Sequence, residues 1–143
     1  MPNNRVKRPT AMTKIKPPTA SYCTCGSGLA YADCCERWHS GGVAPTAEVL
    51  MRSRYSAYVL GLEDYLLLTW LVDTRPQYME LEAEPRPQWQ GLEVKRSAAT
   101  GPDSAVVEFV ARYKLAGKAL QLHEISRFLL IEGQWYYVDG QLA

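Results

Sequence analysis

All four cysteines of this 143-residue chain fall between Cys23 and Cys35, in the stretch CTCGSGLAYADCC. So short a segment cannot build a hydrophobic core, so something other than burial has to hold its shape. The first twenty residues contain no apolar run of the kind a secretory signal needs, which makes the cytoplasm the expected compartment. In a reducing compartment, clustered thiols read as metal ligands or a catalytic pair before they read as structural disulfides. Two close pairs, Cys23 with Cys25 and Cys34 with Cys35, are joined by a short loop and offer four thiolates able to converge tetrahedrally. That is the requirement of a closed structural Zn²⁺ site. Zinc is favoured over iron because iron–sulfur spacings differ. A redox dithiol and a free reactive thiol are the competing readings. Against the dithiol, adjacent Cys34 and Cys35 would form a strained vicinal disulfide, and Cys23-Thr-Cys25 lacks the two-residue spacer of thioredoxin-type pairs. His39 is an alternative to Cys35 as the fourth ligand. Gly26 and Gly28 supply the tight turn that follows the first pair.

Beyond the cysteines, the hydrophobic period divides the chain in two. Thr46 is placed to cap a helix with Glu48 in its first turn. At 100° per residue, Ala47, Leu50, Met51, Tyr55, Ala57, Tyr58, Gly61 and Leu62 share one arc, and Arg54 falls in the middle of it. Glu63 and Asp64 open a second short helix that runs to Trp70. A third, partly helical segment is expected over residues 75–84, stopped by Pro85 and Pro87. After Pro87 the period becomes two, giving strands over 91–98, 105–114, 119–131 and 134–139 with turns between them. Helices followed by an antiparallel meander make an α+β domain with the helices covering one side of the sheet. Such packing leaves room for a pocket between the long helix and the sheet. Arg54 from the helix and Glu124 from an otherwise apolar strand face point toward it. A buried charge needs a partner, so each is expected to pair with the other. By alternation His123 faces the opposite side from Glu124. Trp70, Trp89, Trp135, Tyr136 and Tyr137 are read mainly as core packing.

The run from Cys23-Thr-Cys25-Gly26-Ser27-Gly28 through Tyr31 to Cys34-Cys35 resembles the SEC-C motif, a zinc-binding segment known from the C-terminus of the SecA translocation ATPase. The motif usually has Pro where Thr24 stands and Lys where Leu29 stands. Further on, APTAEVLMRSRYSAYVLG, DYLLLTW, WQGLEV, VEFVARY, HEISRF and GQWYYVDG resemble the YchJ-like family. The resemblance implies an N-terminal zinc knuckle followed by a nuclear transport factor 2-like, or cystatin-like, cone, in a short form without a second SEC-C motif at its C-terminus. It gives a zinc module (21–42) and the cone domain (43–143), and the composition of residues 1–20, rich in Pro, Lys and Thr, makes them a disordered basic tail. For the zinc module the resemblance implies protein or ribosomal partners.

Several function classes drop out. No apolar run approaches the roughly 18–20 residues of a membrane helix. Arg5, Lys7, Arg8, Lys14 and Lys16 give the tail five cations and no acid, so the remaining chain is net acidic. An acidic body lacks the clustered basic surface that nucleic-acid binding needs. There is no nucleophile–base pair, phosphate-cradling loop or carboxylate dyad, and a closed Cys₄ site leaves no open metal position for catalysis. Two readings remain: a binding module that docks a protein partner through its zinc knuckle, and a small-molecule carrier or an isomerase- or dehydratase-like enzyme using the cone pocket around Arg54 and Glu124.

Overall fold

The computed structural model describes residues 22–143, so the basic tail lies outside the described residues. A single 3₁₀ turn (Tyr31–Asp33) and a short helix α1 (Glu36–His39) follow the first cysteine pair. Then come α2 (Ala47–Leu60), α3 (Glu63–Leu68) and four strands: β1 (Gln88–Gly101), β2 (Ser104–Leu115), β3 (Lys118–Ile131) and β4 (Gln134–Leu142). The strands form one antiparallel meander in chain order. No helix among the described residues is long and apolar enough to cross a membrane.

Local chemistry sets the ends of α2. The Thr46 hydroxyl accepts from the Val49 N–H at 3.1 Å, and Gly61 closes the helix with a φ of 74°, a conformation that favours glycine. Ala47, Leu50, Met51 and Tyr55 pack onto Ala105, Val107, Phe109, Ala111 and Phe128 of the sheet. The buried part of α2 is wider than its apolar arc, because Ser53, Arg54 and Ser56 are buried as well. Ser56 faces the cysteine segment and the Ser53 hydroxyl bonds Tyr65 of α3, and a polar stripe of that kind carries no hydrophobic signal.

The sheet turns tightly at both later hairpins. Ala116-Gly117 and Glu132-Gly133 each place two consecutive residues at positive φ, the geometry that matches strand twist in two-residue hairpins. Register shifts beside Trp89, Val94 and Ala99 mark bulges in β1, and bulges bend a strand. The bent strand curves around the inner face.

Residues 75–84 are not helical, which corrects the reading of a third helical segment. Pro76 biases Arg75 away from helical dihedrals. The Glu63 carboxylate takes the Met79 N–H at 3.2 Å, and Ala83 N–H reaches only Glu80 in an isolated turn. Side-chain and turn partners satisfy this stretch in place of a helical ladder. The strands are longer than their periodicity suggests. β1 starts at Gln88 because it pairs with β2 through Lys114, and β4 passes through Gly140 because that glycine sits opposite Ser126.

Candidate functional site: a cysteine cluster behind a cavity

Cys23, Cys25, Cys34 and Cys35 are all buried and unbridged. Their sulfurs lie within 4.8 Å of one another. Metal–sulfur bonds of about 2.3 Å in a tetrahedron space the sulfurs roughly 3.8 Å apart. The Cys25–Cys34 and Cys34–Cys35 separations, 3.5 and 3.9 Å, straddle that spacing. They are far from the roughly 2.05 Å of a disulfide. Gly26 and Gly28, at φ 83° and 86°, turn the chain so that Ser27 Oγ comes within 3.1 Å of the Cys34 sulfur.

The thiols share protons through hydrogen bonds with one another. Hydrogen bonds from Cys25 and then Cys35 hold Cys23 well below the usual thiol range. Donating to Cys23 pushes Cys25 up to about 11, and Cys35 rises for the same first reason. Four thiolates packed this closely repel one another unless a positive charge sits among them. A soft, doubly charged metal ion supplies that charge, so the donor set fits a thiolate-bound metal.

His39 stands outside the sulfur cluster. Its Nε2–H donates to the Ser53 carbonyl at 2.8 Å, and the Tyr31 hydroxyl lies 2.7 Å from its Nδ1. Both ring nitrogens are thereby occupied, Nδ1 in tying α1 to the 3₁₀ turn and Nε2 in tying it to α2. Three more contacts tie the cluster to the same helix. Thr24 Oγ1 lies 2.8 Å from Ser56 Oγ, Cys23 Sγ lies 3.4 Å from that hydroxyl, and Arg52 Nη1 donates to the Cys25 carbonyl at 3.0 Å. Thr24, which stands where the motif usually has Pro, contributes one of these bonds through its hydroxyl. Ser53 and Ser56 were not singled out in the sequence. Small polar residues three apart on the non-apolar side of α2 were the available signal.

The other side of α2 roofs a cavity of about 250 Å³ over the sheet. Met51, Tyr55 and Tyr58 line it from the helix; Trp89, Phe109, Ala111, Leu122, Phe128 and Tyr137 line it from the strands. Arg54 and Glu124 are the charged residues in the lining, with Ser126 beside them. The expected direct pairing is corrected: among the described residues, Arg54 has no carboxylate within 4.0 Å. Arg54 Nη1 instead donates to the Leu66 carbonyl at 2.8 Å and to Thr69 Oγ1 at 2.7 Å, at the end of α3. Its guanidinium lies 4.5 Å from the Tyr137 ring centre and 5.1 Å from that of Trp70. Desolvation lowers its pKa, but a guanidinium stays protonated.

Glu124 takes its hydrogen bonds from hydroxyls, with Ser126 Oγ at 2.6 Å and Tyr137 OH at 3.4 Å. A Cβ at residue 140 would run into this carboxylate, so Gly140 provides the space in which it lies. Burial, and then the Glu124 charge, raise the Tyr137 phenol. Tyr137 thus links the two charges, presenting its ring to Arg54 and its hydroxyl to Glu124. That indirect arrangement could not be seen from spacing, because β4 enters it through a parallel bridge between Trp70 and Tyr137.

The remaining candidates lie elsewhere. His123 Nε2 is 2.7 Å from Glu108 on the outer face of the sheet. Trp89 makes ring contacts with Tyr55, Tyr58 and Tyr113, so it serves the cavity wall and the core at once. Trp135 and Tyr136 are not in the lining.

A four-cysteine knuckle bonded to the back of an α+β cone, with a polar–aromatic cavity in front, defines the class of protein. Two family models match this division: the SEC-C motif over residues 23–37, and the YchJ middle NTF2-like domain over residues 46–140. A UPF0225 protein of Bordetella parapertussis is 53% identical over 131 residues, covering 89% of this chain and 98% of the relative. A UPF0225 protein of Chromobacterium violaceum is 52% identical over 135 residues, covering 91% and 99%. A SEC-C motif containing protein from Rhodopseudomonas palustris, solved in solution, superposes with a TM-score of 0.75 at 32% identity, over 85% of this chain and 98% of that one. The crystal structure of one from Psychrobacter arcticus gives 0.68 at 30% identity, over 85% and 82%. The chain belongs to the UPF0225 family of YchJ-like, SEC-C motif proteins.

Proposed function

We propose that this protein binds a small molecule in the cone cavity, and that a structural Zn²⁺ held by Cys23, Cys25, Cys34 and Cys35 braces the helix forming the cavity's roof. The observation that carries the reading is the cavity, about 250 Å³ walled by aromatic rings with two charged groups in its lining. A solid core at that place would have ended it. Ligand sites combine apolar walls with a few placed polar groups in this way. Zinc suits four buried thiolates in a closed set, where it contributes folding energy and no open coordination position. Such thiolates persist in a reducing cytoplasm, the compartment we assign. The sulfur side and the cavity side of α2 share one helical turn, with Ser56 on the cysteine segment and Arg54 and Tyr55 on the cavity. Metal loading therefore bears on the position of the cavity roof. Leu122 lines the cavity, and a Leu122→Trp substitution fills it from the sheet side. Calorimetric titration with planar compounds of about ten heavy atoms should show saturable heats with the wild type and none with the folded Leu122→Trp protein. Unchanged binding by that variant would refute the assignment of the site.

One observation favours a second reading, in which the knuckle docks a protein partner. Leu29, where the motif usually has Lys, is 49% exposed at the edge of the cysteine loop. Affinity capture with wild type and with Leu29→Lys should give different partner sets under this reading. Identical sets would count against it.

A further inference from the structure

The chemistry of the cavity narrows the ligand further than its size does. Arg54 is only 5% exposed, yet its hydrogen bonds go to neutral acceptors: Nη1 reaches the Leu66 carbonyl and the Thr69 hydroxyl. The Tyr58 hydroxyl, its further side-chain partner, is neutral as well. Closing the end of α3 needs donors but no net charge, so α3 does not account for a buried cation. Aromatic faces offset a guanidinium charge only in part, and desolvated charges are costly unless an opposite charge meets them. The one carboxylate of the lining does not fill this role. Glu124 is drawn toward β4, gripped by Ser126 and seated in the space left by Gly140, and it acts on Arg54 only at longer range. An anionic group of the ligand is what the guanidinium lacks, and a carboxylate matches its planar fork.

The walls and the volume specify the rest. Tyr55 and Trp89 meet edge to face at 5.7 Å, and Phe128 and Tyr137 do so at 5.8 Å, so ring surfaces bound the space on two sides. A dry cavity of about 150 Å³ accommodates benzene, so about 250 Å³ holds roughly ten heavy atoms. A second acidic group would meet Glu124 at close quarters. We infer that the ligand is a small monocarboxylate with a flat, apolar body of about ten heavy atoms, its carboxylate taken by Arg54. This inference rests on the reading of the cavity as a binding site.

Three probes that share one phenylpropenyl body separate the possibilities: trans-cinnamate, neutral cinnamamide and cationic cinnamylamine, titrated calorimetrically into the metal-loaded protein. Cinnamate should bind about tenfold or more tightly than the amide, and the amine most weakly. Arg54→Met should bring cinnamate down to the affinity of cinnamamide. Because Arg54 also holds the end of α3, a second variant keeps the test open if that protein fails to fold. Glu124→Gln leaves every Arg54 hydrogen bond in place, and removing the negative charge should tighten cinnamate severalfold while leaving cinnamamide unchanged. Amide binding equal to cinnamate, or strongest binding by the amine, overturns the carboxylate inference and leaves the cavity reading standing, provided Leu122→Trp abolishes that binding. Absence of binding by all three probes overturns the cavity reading and the inference with it.

Discussion

Cys25→Ser should abolish metal binding and lower the midpoint of thermal unfolding by about 10 °C or more. Cys25 is fully buried at the centre of the sulfur cluster, and its carbonyl accepts from Arg52 of α2. Structural zinc in small domains contributes on the order of 10 kcal/mol of apparent binding free energy. Here the cone has its own core, so only part of that energy appears as global stability. A loss of about 3 kcal/mol corresponds to roughly 10 °C in a chain of this size. His39→Ala is the matched control. That histidine bonds Tyr31 and Ser53 and no sulfur, so its loss should weaken the tie to α2 while metal content stays at one ion per chain. Metal analysis of the two purified variants checks both halves. A His39→Ala protein without metal would return His39 to the ligand set.

Phe128→Ala should cost about 3–5 kcal/mol, the range for deleting a large buried aromatic side chain. Phe128 is 1% exposed, packs edge to face on Tyr137, and forms part of the cavity lining. Its removal enlarges an existing space, so little of the loss is recovered by collapse. Chemical denaturation followed by circular dichroism reads the change, and metal content should be unaffected because Phe128 touches nothing in the cysteine cluster. A cost below about 1 kcal/mol would mean that the floor of the cavity is not packed as described.

Much of the fold was legible in the sequence because its signals are local. Thr46 and Gly61 mark the ends of α2, and alternation through Val107, Phe109 and Ala111 marks the inner face of β2. The failed helix over residues 75–84 shows the limit. Its backbone groups are satisfied by Glu63, which is distant in sequence, and by isolated turns. The cysteine cluster was legible from spacing, since all four thiols lie in one short segment. The placement of that cluster against Ser56 was not, because a serine on a helix looks like ordinary solvent-facing surface. Arg54 and Glu124 could be assigned to one cavity by periodicity. Their relation could not, because it depends on Tyr137, on the space at Gly140 and on an α3 terminus that periodicity does not place.

The central claim is that the cone holds a ligand in a standing cavity. Crystals of the metal-loaded protein soaked with a mixture of planar monocarboxylates test it directly. The account predicts difference density for a flat body beside Tyr55 and Trp89, with its acidic end at Arg54. A structure in which Tyr58 or Trp89 has folded inward to fill the space, with Arg54 bonded to Glu124 and no added density, would contradict it.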